Sequence, residues 1–290
     1  MAIFAPGTLW HSVLERTEHA ITCGALQRIP TRNEILVDRG VRFVVPVVDS
    51  LERKRMAGRQ QKRAGTNPFL PYEPDLFVGD ISETHVGLLN KFNVVDHHLL
   101  IVTREYEEQD DPLNLRDFEA MWIGLSEFDG LAFYNGGVVA GASQPHKHLQ
   151  QVPVPLGEGP GRTPMDSLLT SARLDERVRT VPELPFVHAV SGVDRYARMT
   201  AIEAARRTLA LYMEMLSAVG LGKDSDPYNL LVTRDWMFMV PRNREFCETI
   251  SVNSLGFAGS ILVRNETELA TVRERGPWEV LRHVSRSIPH

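Results

Sequence analysis

Residues 141–150 read Gly141-Ala142-Ser143-Gln144-Pro145-His146-Lys147-His148-Leu149-Gln150. From His146 to Val154 the composition suits a β-strand, and successive side chains of a strand point to opposite faces. That period predicts His146, His148 and Gln150 on one face, with Lys147, Leu149 and Gln151 on the other. Pro153 has no N–H to give to a ladder, so the strand is expected to lie at an edge or to lose its pairing there. Three polar side chains then line one wall of a sheet.

Just upstream stand Asn135-Gly136-Gly137 and Val138-Val139-Ala140. Small residues from there through Gly141 and Ala142 let backbone N–H groups approach phosphate oxygens, and Ser143 and Gln144 add side-chain donors. An ordinary turn between strands is the other reading of the same glycines. The His-x-His pair is likewise open between a structural, a metal-binding and a catalytic role. Zinc wants three or four ligands, and no third cysteine or closely spaced carboxylate accompanies the pair. His97 and His98 are adjacent, so in a strand they face opposite ways and cannot chelate together. One is expected in the core or wall, the other in solvent.

Working outward, Thr8 is expected to cap a helix running to about Ala25, with Leu9, Trp10, Val13, Leu14 and Ile21 near helical spacing. Glu34–Val37 and Val41–Val48 flank Asp38-Arg39-Gly40, a hairpin signal with which a sheet is expected to begin. Residues 52–75 lose periodicity and carry Lys54, Arg55, Arg59, Lys62 and Arg63, which predicts a mobile basic loop or a solvated face. Strands are expected at Leu76–Val78, His85–Leu89, His98–Thr103 and Leu131–Tyr134. Between the last two, Asn114 caps a helix with Asp117 in its first turn. The glycines and prolines from Gly157 to Pro164 place a soft boundary between a part spanning 1–157 and a part spanning 158–290. The second part offers a strand at Phe186–Val190, a helix at about Met199–Ala218, a hairpin at Tyr228–Pro241 turning on Arg234-Asp235, a strand at Phe257–Val263 and closing helices. Leu230-Leu231-Val232-Thr233-Arg234-Asp235 echoes Leu100-Ile101-Val102-Thr103-Arg104-Glu105, as a duplicated α+β unit would.

Hydrophobic residues make up 43% of the 290 and charged ones 24%, the balance of a globular chain. A net charge of −5 argues against nucleic acid or an anionic membrane surface as the main partner, while leaving room for a cationic pocket around a small anion. No stretch approaches the ~20 apolar residues of a membrane span. The N-terminus lacks the pattern of a secretory signal. Cys23 and Cys247 lie far apart and form no Cys-x-x-Cys zinc motif. A cytoplasmic protein without membrane or nucleic-acid partners is the expectation.

The combination Gly-Ala-Ser-Gln-Pro-His-x-His-x-Gln closely resembles the active-site segment of the diadenosine tetraphosphate phosphorylases, also called ATP adenylyltransferases. These are a branch of the histidine triad superfamily related to galactose-1-phosphate uridylyltransferase. Leu88-Leu89-Asn90-Lys91-Phe92 with His98–Thr103, Tyr228-Asn229-Leu230-Leu231-Val232-Thr233 and Asn253-Ser254-Leu255-Gly256-Phe257-Ala258-Gly259 are similar to that family too. The resemblance implies an α+β fold, a histidine-triad-like antiparallel sheet with helices, with a catalytic first part and a second part completing the nucleotide site. It makes His148 the nucleophile that takes an adenylyl group before phosphate accepts it. Gln150 stands where hydrolytic members carry a third histidine, and an amide cannot shuttle a proton, which favours transfer over hydrolysis. His146 is implied to donate to the phosphoryl group or to orient the site, with Gly141, Ala142, Ser143 and Gln144 around the phosphates.

By the same resemblance Asn90 and Lys91 lie near the nucleoside, Asn135 near the transferred phosphate, and Lys54 is a substrate-binding lysine closing over the polyphosphate. Asn253, Ser254, Leu255, Ser260 and Arg264 reach into the nucleotide site, although Ser260 replaces a methionine and Arg264 a lysine of the better-known members. The expected partners are nucleotides and phosphate. Mg2+ is expected on the substrate's polyphosphate and no zinc on the protein. The rival readings are a uridylyl or other nucleotidyl transferase, one using sulfate-containing nucleotides included, and a dinucleotide sensor that does not turn over.

Overall fold

In a computed structural model, which describes residues 5–48, 67–159, 161–170, 175–222 and 226–288, the strands pair into one eight-stranded sheet and two two-stranded ones, the smaller of these joining Phe246–Cys247 to Ile250–Ser251. The hairpin β1 (Thr31–Asp38) and β2 (Val41–Val48) stands alone, so the main sheet does not begin there. Its two-residue turn needs positive φ twice, which Arg39 at 46° and Gly40 at 82° supply. The main sheet has eight strands: β3 (Phe77–Asp80), β4 (His85–Leu89), β5 (Leu99–Thr103), β6 (Gly130–Gly136), β7 (His148–Pro153), β8 (Ala189–Gly192), β9 (Tyr228–Val232) and β10 (Trp236–Pro241). Their spatial order is β3-β4-β5-β7-β6-β9-β10-β8, every neighbour antiparallel. The β6–β9 ladder therefore carries the sheet across residues 157 and 158 without a break.

Strand β7 is interior rather than at an edge. Pro153 is tolerated because it is the last residue of the strand, and the ladder to β5 has already ended at Gln151. His146 falls just outside β7, held by a single bridge to Glu108. Phe257–Val263 does not form the expected strand. Asn253 caps a short helix over Ser254–Phe257, Gly259 takes φ +96°, and Ser260 and Val263 bridge in parallel to Val44 and Val47. Polar capping there outweighs the β-branched run that follows.

The helices are α1 (Leu9–Thr22), α2 (Leu115–Glu127), α3 (Asp166–Leu169), α4 (Ala201–Ala218), α5 (Ser254–Phe257), α6 (Glu266–Arg275) and α7 (Pro277–Val284). Asn114 and Asp117 form a capping box at the start of α2, as the sequence predicts. Thr8 does not cap α1, since its hydroxyl donates to Ala5 at 2.7 Å. The Glu127 carboxylate serves that end instead, accepting from the Gly7 and Leu9 N–H groups at 2.9 and 3.0 Å.

Directly paired residues share a face, so the register divides the sheet. One face presents Leu99, Ile101, Leu149, Ala132, Tyr134, Leu230 and Val232 to α1, α2 and α4 in one continuous core. The other carries two separate apolar clusters. One joins Leu131, Phe133, Val152, Leu231 and Phe238 to the β1–β2 hairpin and to α6 and α7. The smaller joins Val86, Leu88, Leu100 and Val102 to Phe69. Pairing of His148 with Val102 and of Gln150 with Leu100 and Phe133 sets those two side chains on this second face, in the seam between the clusters. Among the described residues no helix is long and apolar enough to cross a membrane.

Candidate active site

The first ring nitrogen to account for is His148 Nδ1, 2.8 Å from the His146 carbonyl. A carbonyl only accepts, so Nδ1 carries the proton and Nε2 the lone pair. His148 is 3% exposed, and burial lowers its pKa to about 4 against the opposing pull of that carbonyl. The imidazole is therefore neutral across the physiological range, with a free electron pair on Nε2 that no other described group takes up. The Phe69 ring stands 5.2 Å from the His148 ring and covers it.

The backbone at His148 is held unusually. The register of β6 and β7 would place Asn135 opposite His148, yet their ladder stops at Phe133 and Gln150. The side chain of Gln109 fills the gap: its Oε1 accepts from the His148 N–H at 2.8 Å, and its Nε2 donates to the carbonyls of Asn135 (2.9 Å) and His148 (3.2 Å). The two strands thus part at His148 without leaving these buried backbone groups unpaired.

His146 is engaged at both ring nitrogens. Nε2 donates to the Thr103 carbonyl at 2.9 Å, with Thr103 Oγ1 at 3.0 Å, and Nδ1 accepts from Asn67 Nδ2 at 3.1 Å. In this arrangement its ring has no N–H left for a phosphoryl oxygen, and its carbonyl is what fixes the His148 tautomer. Gln150 belongs to a third chain of groups. Asn90 Nδ2 donates to His98 Nδ1 (3.2 Å), and His98 Nε2–H donates to Gln150 Oε1 (2.9 Å). With its oxygen taken, Gln150 offers the donor end of its amide. Burial lowers His98 to about 4, although the hydrogen bond to Gln150 works in the other direction.

Asn135 is fixed the same way round. Its Oδ1 accepts from Asn229 Nδ2 (2.9 Å), the Ser254 N–H (3.0 Å) and Ser254 Oγ (2.7 Å), which leaves the amide nitrogen without a partner among the described residues. Behind it, the fully buried Arg242 donates to Asn229 Oδ1 at 2.5 Å and to backbone carbonyls of Ala140, Val284, Arg244 and Glu245. Burial lowers its guanidinium to about 9, with the nearby Glu245 charge opposing.

The turn after β6 uses Gly137 at φ +83° and Gly141 at φ +90°. A Cβ on Gly141 would come within 2.8 Å of the Val252 carbonyl and 3.0 Å of Asn253 Cα, so glycine is required by contact as well as by φ. The N–H groups of Ala140, Gly141 and Ala142 donate inward to the carbonyls of Gly137 and Val138. Within residues 140–144 only the N–H groups of Ser143 and Gln144 lack a partner among the described residues, which narrows the expected Gly141–Gln144 cradle to that pair.

The remaining candidates spread out. Lys91 Nζ sits on the Glu73 carboxylate at 2.5 and 2.7 Å. Asn253 caps α5 by accepting from the Leu255 N–H at 3.0 Å. Ser260 N–H donates to the Leu255 carbonyl at 2.8 Å, and Arg264 grips Glu268 at 2.6 and 2.9 Å. Among the described residues no hydrogen bond or ion pair joins Ser260 or Arg264 to the groups around His148. Lys54, with Arg55, Arg59, Lys62 and Arg63, lies outside the described residues. His97 is not the solvated partner of His98: it is half-buried, at φ 57°, with its ring 5.4 Å from Trp10 and Nδ1 3.2 Å from Thr17 Oγ1.

The sequence reading missed Gln109, Phe69, Asn229 and Arg242. Gln109 sits in an acidic run with nothing to mark it. Asn229 did leave a signal, an amide inside the apolar run of β9, where a buried polar group needs partners. A depression of about 450 Å3 lies elsewhere, between the Asp38-Arg39 turn and Arg273–Glu279, and holds no nucleophile.

Residues 1–171 match the model of the Ap4A (diadenosine tetraphosphate) phosphorylase N-terminal domain, and residues 182–287 that of the ATP adenylyltransferase C-terminal domain. The Saccharomyces cerevisiae protein APA1 is 27% identical over 93% of this chain and 91% of its own. Diadenosine 5',5'''-P1,P4-tetraphosphate phosphorylase 2 of the same yeast is 27% identical over 80% of this chain and 79% of its own. The crystal structure of yeast Ap4A phosphorylase Apa2 in complex with Ap4A superposes with a TM-score of 0.81 at 22% identity, covering 99% of this chain and 100% of that one. The complex of Apa2 with AMP gives the same TM-score over 98% of both chains.

Proposed function

Since this chain belongs to the Ap4A phosphorylase family, we propose that it is a nucleotidyltransferase that splits diadenosine tetraphosphate with phosphate, giving ATP and ADP through an adenylyl group held on His148. The observation that carries the reading is the tautomer of His148, with Nδ1–H on the His146 carbonyl and a free lone pair on Nε2.

In the first step the Nε2 lone pair bonds to the α-phosphorus as the bond to the bridging oxygen breaks, and ATP leaves with that oxygen. The ring gains positive charge, which the Nδ1–H···O=C bond to His146 stabilises without a proton moving. In the second step a phosphate oxygen bonds to the same phosphorus, the P–N bond breaks, and ADP departs with His148 restored. One hard displacement becomes two easier ones. The amide nitrogens of Gln150 and Asn135 and the N–H groups of Ser143 and Gln144 are donors suited to the phosphoryl oxygens. All are neutral, and none can deprotonate water at pH 7, which supports transfer over hydrolysis. The Phe69 ring packs against the imidazole, 5.2 Å from it, and forms one wall of the site. Mg2+ on the substrate's polyphosphate would neutralise charge, and Lys54 would add a cation from the protein.

The test is product analysis with purified protein, diadenosine tetraphosphate and Mg2+, with and without phosphate. ATP and ADP only in the presence of phosphate is the expected result. ATP with AMP in its absence would mean a hydrolase, and no products in either tube would leave a sensor. Sulfate in place of phosphate, or UDP-glucose in place of the dinucleotide, should give a rate at least about tenfold lower if acceptor and base pockets are those proposed.

A further inference from the structure

On the helical side of the molecule, His19 and Cys23 stand four residues apart on and just past the last turn of α1, and so on one face of it. Asp75, from the short 3-10 turn Pro74–Leu76, closes on the same spot. His19 Nε2 lies 2.8 Å from Asp75 Oδ1 and 3.9 Å from Cys23 Sγ, and one ligand atom from each of the three lies within 4.8 Å of the other two. All three residues are exposed.

We propose that His19 Nε2, Cys23 Sγ and an Asp75 carboxylate oxygen form a surface site for a divalent transition-metal ion of zinc's chemistry, clipping the end of α1 to the Pro74–Leu76 turn. The donor set is one thiolate, one imidazole and one carboxylate, the types zinc prefers, with the fourth position open to water. Zinc bonds of about 2.0–2.3 Å put neighbouring ligand atoms roughly 3.3–3.8 Å apart. The His19–Cys23 spacing already falls near that range, and the His19–Asp75 pair has only to open by under about 1 Å. On binding, the Cys23 thiol and any imidazolium release their protons to solvent, so affinity rises with pH. Spacing rules based on Cys-x-x-Cys pass over this cluster because its third ligand comes from a distant turn.

The location gives the clip a consequence. The segment that ends at Asp75 also carries Asn67 and Phe69, which touch His146 and His148, and Glu73, which holds Lys91. A metal ion there tethers the far end of the segment that covers the candidate nucleophile. The inference stands apart from the reaction proposed above, because it is tested by binding.

The experiment uses the full chain, stripped with chelator and titrated with Co2+ as a spectroscopic stand-in for zinc. A thiolate-to-cobalt charge-transfer band saturating at one equivalent is expected, displaced by Zn2+. Cys23→Ser should remove the band, and Asp75→Asn and His19→Gln should each weaken binding by about tenfold or more. As Cys247 is fully buried, Cys23 is the accessible thiol, and one equivalent of Zn2+ should slow its alkylation at least about tenfold. No thiolate band, or a band that persists in Cys23→Ser, means an adventitious ion only and overturns the proposal. Unprotected alkylation at saturating Zn2+ overturns it as well.

Discussion

The two faces of the eight-stranded sheet are built to different ends. Against α1, α2 and α4 lies one continuous apolar cluster, interrupted by the buried Lys147–Asp117–His85 ion pairs (3.3 and 3.1 Å) and by Gln151, and within it the Trp122 indole N–H donates to Thr208 Oγ1 at 2.7 Å. The opposite face is split, and into the split the same strands project His148, Gln150 and Asn135, each fixed by a buried polar chain behind it. Apolar burial of about 25 cal/mol per Å2 drives the fold from the first face. The second gives up part of that area to hold a neutral imidazole and amide donors in set orientations. Stability and chemistry are therefore expected to respond to different residues of the same sheet.

The sharpest way to break that comparison is to change one residue on each face. His148→Ala should lower kcat by at least about a thousandfold while nucleotide affinity stays within about tenfold, measured by steady-state rates and equilibrium binding. Its thermal stability should not fall by more than a small core truncation allows. Phe118→Ala, in the first turn of α2 and fully buried, should cost about 3–5 kcal/mol in denaturant unfolding and leave kcat per folded molecule unchanged. If the activity loss and the stability loss fell on the same variant, the division of labour would be wrong.

A pH series sharpens it further. His98 and His148 each have a folded pKa near 4, below their value of about 6.5 when unfolded, so between those values the unfolded chain binds more protons. Stability is thus fully present above pH 6.5 and is lost as pH falls toward 4, at up to about 1.4 kcal/mol per unit for each group. Replacing His148 with Gln should flatten that slope in urea titrations across this window. The smallest effect is expected on the helical face. Asn114→Ala removes the α2 cap and should cost about 1 kcal/mol with no change in rate.

Much of this division was readable in the sequence. The period of two set His148 and Gln150 on one face and Leu149 and Gln151 on the other, and α2, α4 and the β9–β10 hairpin stand within a few residues of where spacing and caps put them. What escaped notice was non-local. That the β1–β2 hairpin stays outside the main sheet depends on which edges are already paired, a property of the assembled strands. The interior position of β7 likewise follows from its two neighbours, which no local pattern names. Gln109 and Arg242 act by filling backbone gaps between strands far apart in the chain, and a glutamine in an acidic run or an arginine after a hairpin looks like surface until those gaps exist. His148 stood out because its motif is local, and the groups that hold it did not because they are distributed.

Covalent trapping tests the central claim most directly. Protein incubated with diadenosine tetraphosphate without phosphate, quenched in alkali to preserve a P–N bond and mapped by peptide mass spectrometry, should carry one AMP on His148. Added phosphate should chase that label into ADP. An adduct on any other side chain, or no adduct while ATP is released, would contradict the assignment of His148 Nε2 as the attacking atom.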